Sequence, residues 1–189
     1  MFGKLKRRSE QKTDYNQRLG LLKSGKLRLA VRRSLSGMSA QIIEYQQNGD
    51  KVLLTVRSRE LKKFGWLGGN NLSSSYLTGL LTGSRAAEKG MKEAVLDMGL
   101  NVSTKGNRVY AFAKGCNDAG LNVALGSEIT PAAERIEGKH IEKLATALKE
   151  KGAYDKYFSS YIKKGLKPEE MSRHFEEVKN NILNNFSRK

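Results

Sequence analysis

The stretch Lys26-Leu27-Arg28-Leu29-Ala30-Val31-Arg32-Arg33 is the part of the sequence that first fixes a fold. Its apolar side chains alternate with cations, and a period of two is typical of a strand with one face on a core. Two more strands are predicted at about 38–45 and 51–57, because turn residues at 34–37 and 48–50 separate them. We therefore expect an antiparallel meander with a basic face or edge.

The patterns that follow extend this meander into an α/β fold. A helix capped by Ser73 or Ser74 precedes a continuous apolar run at 94–98, which is typical of a strand covered on both faces, as in a parallel βαβ unit. A second helix over 107–120 and a short closing strand at 121–124 come next. The expected fold class is α/β, a mixed β-sheet with an antiparallel meander, a parallel βαβ strand and two packed helices.

The charge of the chain indicates its class of partner. A net charge of +16 and a pI near 10 favour nucleic acid and, less often, an anionic membrane. Residues 1–33 hold eleven basic and two acidic side chains, a block that repels itself and is expected to stay disordered until it meets a polyanion. The alternative is a solvated tail that only aids solubility.

Composition also argues against several classes of protein. No apolar run approaches the roughly 20 residues of a membrane span, and the basic start has no apolar segment behind it to make a signal peptide. A single cysteine, Cys116, fits a core position and a reducing compartment such as the cytoplasm. His140 and His174 have no cysteine or histidine cluster around them, so neither a zinc site nor any other cofactor is expected.

Three parts of the chain differ in composition. We expect a basic RNA-binding arm at 1–25, the α/β core at 26–126 and a helical carboxy-terminal extension at 127–189. The extension has thirteen basic and ten acidic residues, and its apolar stripes predict helices that must pack on the core or on a partner. One stripe fits either core packing or a docking surface for RNA or protein; its tyrosines are Tyr154, Tyr157 and Tyr161.

A basic, Gly-rich segment at 57–71 is predicted to be a long loop. Cations surround Phe64 and Trp66 in it, and exposed rings beside cations can stack on unpaired bases while the cations hold the backbone. The other interpretation is that the two rings anchor the loop on the core. The cations of this segment are Arg57, Arg59, Lys62 and Lys63.

Asp97 is the best candidate for a catalytic residue, because it ends an apolar strand, where α/β enzymes often place a carboxylate. A nuclease-like metal site needs a second carboxylate, and neither Asp118 nor Glu93 is suitably placed. Asp97 more simply caps the loop that follows it. We expect no enzyme, no catalytic residues and no metal ligands, and keep a metal-dependent nuclease on a similar α/β core as the alternative function.

Several motifs, taken together, resemble those of one known family. They are Lys12-Thr13-Asp14-Tyr15, Leu22-Lys23-Ser24-Gly25-Lys26, Ala40-Gln41-Ile42-Ile43-Glu44-Tyr45, Ser58-Arg59-Glu60-Leu61-Lys62-Lys63-Phe64-Gly65-Trp66, Ser75-Tyr76-Leu77-Thr78-Gly79-Leu80-Leu81 and Glu93-Ala94-Val95-Leu96-Asp97. The chain is similar over about 12–142 to the archaeal form of the eighteenth large-subunit ribosomal protein. The eukaryotic counterpart of that family is the large-subunit protein that binds 5S rRNA.

The resemblance implies a non-catalytic cytoplasmic protein of the large ribosomal subunit that binds 5S rRNA and helps attach it to the central protuberance. The implied partners are 5S rRNA, large-subunit rRNA and neighbouring ribosomal proteins of the central protuberance. The turn at 34–38 departs from the more polar, Asn-containing turn expected for the family, and the match is loose after about residue 150. The RNA contacts that the resemblance implies are Lys12, Tyr15, Arg18, Lys23, Arg28, Arg32, Arg33, Arg59, Lys62, Lys63 and Trp66. The basic segment adds Arg57 to these candidates.

Overall fold

A five-stranded mixed sheet lies at the centre of the part of the chain that the structure describes. The structure is a computed structural model that describes residues 6–150 and 152–187, so the first five residues of the predicted basic arm lie outside it. The strands are β1 Arg28–Arg33, β2 Met38–Glu44, β3 Lys51–Arg57, β4 Glu93–Asp97 and β5 Asn122–Val123. Their order in the sheet is β3-β2-β1-β4-β5.

The pairing of the strands confirms the predicted fold class. Strands β1, β2 and β3 form the antiparallel meander, with Arg28 opposite Ile43 and Ser39 opposite Arg57. Strand β4 pairs with β1 in parallel, and β5 pairs with β4 in parallel. The apolar run in β4 is only partly covered, because Val95 and Leu96 remain half-buried.

Two helices cover one face of the sheet and pack closely on each other. They are α3, Leu72–Glu88, and α4, Arg108–Asp118. A methyl group on Gly79 would overlap the carbonyl of Phe112, and one on Gly115 would overlap the carbonyl of Tyr76. Glycine at these positions therefore allows the two helix backbones to approach each other.

Local structure differs from the prediction at the start of α3. The cap is Asn71, whose side chain accepts a hydrogen bond from the N–H of Ser74 at 2.9 Å, and not Ser73 or Ser74. The segment before it is not entirely loop, because Ser58–Phe64 forms a 3₁₀ helix. Both serines are buried inside the first turn, where their hydroxyls bond to carbonyl groups of the backbone.

The amino-terminal segment is helical, which corrects the expectation of a disordered arm for the residues that are described. It contains α1, Lys6–Ser9, and α2, Tyr15–Leu22, which together bury no residue completely. Asp14 caps α2 by accepting hydrogen bonds from the N–H groups of Asn16 and Gln17 at 2.9 and 3.1 Å. A capping carboxylate at a helix start stabilises the otherwise unpaired N–H groups and offsets part of the local positive charge.

The carboxy-terminal extension folds onto the main domain. Its helices are α5 Ala133–Glu137, α6 Lys139–Glu150, α7 Tyr154–Ile162 and α8 Met171–Ser187. The apolar stripe of α8 joins the core beneath α3, and its fully buried members are Met171, Phe175, Val178 and Ile182. None of the described helices is long and apolar enough to cross a membrane.

Candidate nucleic-acid interface

Basic side chains converge on a cleft of about 630 Å³ beside the carboxyl ends of β1 and β4, which we name the arginine cleft. Helix α2 and the residues before it form one wall, and the end of β1 with the loop after β4 forms the other. The cations that line it are Arg7, Lys12, Arg18, Arg28, Arg32 and Arg33, and the carboxylates are Asp14, Asp50 and Asp97. The excess of cations gives the cleft a positive potential, which attracts a polyanion.

Arg28 is held between two carboxylates inside the arginine cleft. Its Nη1 donates to Asp97 Oδ2 at 3.0 Å, and its Nη2 donates to Asp50. The Asp50 carboxylate also accepts from Arg18 Nη2 of α2, at 2.9 Å. Since the Arg28 side chain is only 11% exposed, it has little surface for RNA. Its charge connects the arm, the β2–β3 turn and β4, as a buried charge must be paired.

Arg32 and Arg33 lie at the mouth of the arginine cleft. Arg32 Nη1 donates to the backbone carbonyl of Asp97 at 2.8 Å, and its Nη2 lies 3.2 Å from Asp97 Oδ1. Arg33 Nε donates to the side-chain oxygen of Asn101 at 2.9 Å. Both side chains are exposed, so each is fixed in position and still offers N–H groups to a ligand.

Asp97 has the structural role that its sequence context favoured. Its Oδ1 accepts the N–H of Gly99 at 2.7 Å, which caps the loop after β4, and its carboxylate pairs with Arg28 and Arg32. Asp50 is a second carboxylate nearby. Because the Arg28 guanidinium donates to both acids, their negative charge is already paired with a cation and not with a metal ion. Within the described ranges, no group of three or more His, Cys, Asp or Glu side chains could hold a metal ion.

The predicted contacts on the arm lie on both sides of α2. Lys12 is exposed and forms an ion pair with Glu10 at 2.8 Å, while Lys23 is exposed just after the helix. Tyr15 is half-buried in the first turn of α2. Lys12 and Arg18 line the arginine cleft, whereas Tyr15 and Lys23 do not. The structure therefore brings only part of this predicted set together.

A second group of cations surrounds the 3₁₀ helix that follows β3. Glu60 orients this helix by accepting the N–H of Arg57 at 2.8 Å and a hydrogen bond from Arg85 at 2.6 Å. Burial alone would raise the pKa of Glu60, but these two partners outweigh it and hold the pKa below its usual value. The carboxylate therefore stays charged. The cations themselves are exposed; they are Arg57, Arg59, Lys62 and Lys63.

Trp66 anchors its segment on the core, which is the second of the two interpretations of this segment, and its ring is not exposed for base stacking. The side chain is 4% exposed, and its Nε1 donates to Ser74 Oγ at 2.7 Å. Its ring stacks on His174 of α8, with centroids 5.0 Å apart and planes at 11°. His174 Nε2 accepts the N–H of Leu67 at 3.2 Å, and burial lowers the pKa of the imidazole. Phe64, which is half-buried, packs against the same core.

Cys116 and two of the three tyrosines of α7 have structural roles in packing. Cys116 is completely buried on α4, and burial raises the pKa of its thiol, so it has the core position that was predicted. Tyr154 and Tyr161 pack around the buried ring of Phe158, whereas Tyr157 is exposed. The interface residue missed in the sequence is Asp50, because its turn 48–50 was interpreted only as chain reversal.

The chain matches known proteins along almost its whole length. The model of a family described as ribosomal large subunit proteins 60S L5 and 50S L18 matches residues 2–93. The large ribosomal subunit protein uL18 of Methanococcus maripaludis is 49% identical over 181 residues, which are 95% of this chain and 94% of that protein. The uL18 protein of Aeropyrum pernix is 50% identical over 182 residues, 94% of this chain and 85% of that protein.

These matches confirm the resemblance on which the functional expectations rest. The relatives are named as ribosomal proteins and not as enzymes, so the nuclease alternative has no support. The protein is accordingly a non-enzymatic component of the large subunit of the cytoplasmic ribosome. By the identity and the coverage of these relatives, the chain belongs to the uL18 family of large-subunit ribosomal proteins.

Proposed function

We propose that this ribosomal protein binds 5S rRNA through the arginine cleft and helps attach that RNA to the central protuberance. The observation that carries the proposal is the cleft itself, where six cations from the arm and β1 face three carboxylates. Each carboxylate already has an internal task, because Asp14 caps α2 while Asp50 and Asp97 pair with arginines. The cations at the mouth therefore remain available to phosphates.

The residues of the arginine cleft divide into two roles. Arg18 and Arg28 fix the position of the arm through Asp50, and act on RNA mainly by shaping the cleft. Arg33 bonds only to a neutral amide among the described residues, so its charge is not neutralised. We assign the phosphate and ribose contacts to the exposed cations of the arm and β1 and to those around the 3₁₀ helix. They are Lys12, Lys23, Arg32, Arg33, Arg57, Arg59, Lys62 and Lys63, and Tyr15 is assigned with them.

Such a surface suits a folded RNA better than a particular sequence. Duplex RNA is recognised largely by its shape, through phosphates and 2′-hydroxyl groups, and cations on a rigid strand match one arrangement of phosphates. Arg32 and Arg33 are fixed by Asp97 and Asn101, so little side-chain freedom remains to be lost on binding. The exposed surface of the extension, including Tyr157, is left for neighbouring ribosomal proteins.

The experiment compares charge reversal at two exposed basic residues, so that both variants change the net charge by the same amount. Arg33→Glu should weaken binding of 5S rRNA about tenfold or more and reduce the dependence of affinity on salt, because one phosphate contact is lost. Lys143→Glu, at an exposed position of α6, should leave the affinity almost unchanged. Arg32 is not used, because a glutamate there would repel Asp97 and disturb the fold.

Specificity is measured with transfer RNA as the competitor, since it is also a compact folded RNA with one phosphate charge per nucleotide. The wild-type chain should retain 5S rRNA in excess transfer RNA at physiological salt. Equal binding of both RNAs, or equal losses for Arg33→Glu and Lys143→Glu, would contradict the proposal. Circular dichroism and the thermal midpoint of each variant check that the free protein remains folded.

A further inference from the structure

The turn between β1 and β2 holds a leucine, Leu35, whose side chain no described residue covers. Leu35 is 101% exposed, although its turn is firmly held. The N–H of Ser34 donates to the carbonyl of Gly37 at 2.8 Å, and Asn70 Nδ2 donates to the carbonyls of Ser34 and Leu35 at 3.0 and 2.9 Å. One exposed apolar side chain is ordinary on a protein surface. The surroundings of this one are what make it informative.

A cavity of about 560 Å³, which we name the Leu35 pocket, opens beside this turn. Leu35, Leu67 and Trp66 supply its apolar walls. Among the residues that the structure describes, its charged lining consists of cations from two parts of the chain and includes no carboxylate; these cations are Arg59, Lys62 and Lys164. Apolar walls with cations around them suit a planar apolar group that has negative charges beside it.

The location of the pocket favours RNA over an acidic protein. Arg33, at the mouth of the arginine cleft, directly precedes the turn that presents Leu35. A shallow groove lined by Arg57 and Arg59 connects the same turn to the Leu35 pocket. A chain of phosphates that leaves the arginine cleft would thus meet cations continuously until it reaches the pocket.

We propose that the Leu35 pocket takes one unpaired nucleotide of ribosomal RNA. The base packs on Leu35 and Leu67, and the flanking phosphates lie against Arg59, Lys62 and Lys164. Unpaired bases expose an apolar face that a side chain can cover, which paired bases in a helix do not. The inference rests on the proposed function only for the statement that the RNA is ribosomal.

Lys164 gives the carboxy-terminal extension a part in RNA binding. It lies in the segment after α7, and Leu166 nearby is buried in the core, so the position of this segment is fixed. The extension therefore contributes to the wall of the pocket. This role is compatible with protein partners on its other surfaces.

The test uses the full chain and two fluorescein-labelled probes, single-stranded hexauridylate RNA and a 12-base-pair RNA duplex. Anisotropy gives the affinity for each, and the emission of Trp66, the sole tryptophan, reports occupancy of the pocket. Leu35→Ser should weaken hexamer binding about fivefold and leave duplex binding unchanged. Lys164→Ala should also weaken hexamer binding and lower its salt dependence. Leu144→Ser, at another exposed leucine, is the matched control.

The measurements on the Leu35 pocket distinguish an unpaired nucleotide from a protein partner. Unchanged hexamer affinity in Leu35→Ser, or no response of Trp66 emission to the hexamer, would overturn the proposal. Tighter binding of an acidic, leucine-containing peptide that Leu35→Ser abolishes would overturn it in favour of a protein partner. The proposed function fails on a different result, equal binding of 5S rRNA and transfer RNA, while the hexamer measurement still decides the pocket.

Discussion

The two ends of the chain are attached to the same core by different forces. The amino-terminal helices bury no residue completely and connect to the sheet through ion pairs, chiefly between Arg18 and Asp50. The carboxy-terminal α8 instead buries Met171, Phe175, Val178 and Ile182. Both ends contribute to the candidate interface, the first with the wall of the arginine cleft and the second with Lys164.

The difference indicates how each end should respond to conditions and to RNA. Ion pairs on a surface are weak and are screened by salt, so the arm is held loosely enough to adjust to a ligand. Apolar burial is insensitive to screening and contributes roughly 1.5–3 kcal/mol for each large side chain. We therefore expect α8 to stabilise the whole domain and α2 to adjust the binding surface.

The largest effect is expected from Phe175→Ala in α8. Phe175 is buried beside the rings of Trp66 and Tyr76, with centroid distances of 6.5 and 5.6 Å. Removing its ring should reduce the free energy of unfolding by about 3–5 kcal/mol, because a cavity replaces the contacts. Chemical denaturation measures this loss. Tyr157→Ala, which truncates an exposed ring, should change stability by less than about 0.5 kcal/mol.

The second effect concerns Asp50, which holds the arm. Asp50→Asn removes a negative charge from a cationic cleft, so simple electrostatics predicts tighter RNA binding. We expect the opposite, an affinity for 5S rRNA about three- to tenfold lower, because Arg18 and Arg28 lose the partner that positions α2. Filter binding at constant salt measures the change.

A nearby acid controls for charge alone in this experiment. Glu44 lies at the end of β2 and accepts a hydrogen bond from Gln46, which a glutamine could still accept. Glu44→Gln should leave the affinity equal or slightly higher. If Asp50→Asn behaves in the same way as Glu44→Gln, the Asp50 carboxylate does not position the arm.

A smaller effect should separate the two ends by salt. Raising NaCl from 0.1 to 1 M shortens the Debye length from about 10 to about 3 Å. The amide hydrogens of α2 should then exchange faster, while those of α8 keep their protection, because ion pairs hold the arm whereas apolar burial holds α8. Hydrogen exchange with mass spectrometry resolves the two helices. Equal acceleration of both would show that the attachments do not differ in kind.

The smallest effect involves pH and His174. Burial lowers the pKa of His174 in the folded protein, so the unfolded chain binds a proton first as the pH falls. Stability should therefore decline from about pH 6.5 downward and level off below the lowered pKa of the folded state. Because the pKa of His140 is also lowered, the difference between wild type and His174→Gln isolates His174. Denaturation at several pH values measures it.

Much of the fold was predictable because its signals are local. The strand β1 and the helical stripes of α4 and α8 depend on neighbours within a few residues, and the structure confirms each of them. The predicted alternation of burial along β1 is wrong, because Arg28 and Ala30 are buried together with Leu29 and Val31. The start of α3 was placed two or three residues late because three serines follow Asn71 and each is a good cap. The choice among them depends on which hydroxyls the core encloses.

The candidate site was less predictable because its geometry depends on distant pairs. The pattern of β1 places Arg28 and Arg32 on one face of the strand. It does not show that Arg28, between Asp50 and Asp97, is much less exposed than Arg32. Trp66 lies in a segment whose composition suits exposure equally well, and its burial follows from His174, more than a hundred residues later. The Leu35 pocket could not be predicted for the same reason, because its cations come from separate parts of the chain.

The bond between Arg28 and Asp97 has a consequence for how the protein is made. The two residues are 69 positions apart, so translation at about 5–20 residues per second leaves on the order of ten seconds between them. During that interval the most basic part of the nascent chain has been synthesised without Asp97, the acid that pairs with both Arg28 and Arg32. An acidic chaperone, which binds a polycation, would be most useful to the cell at this stage, before β4 is complete.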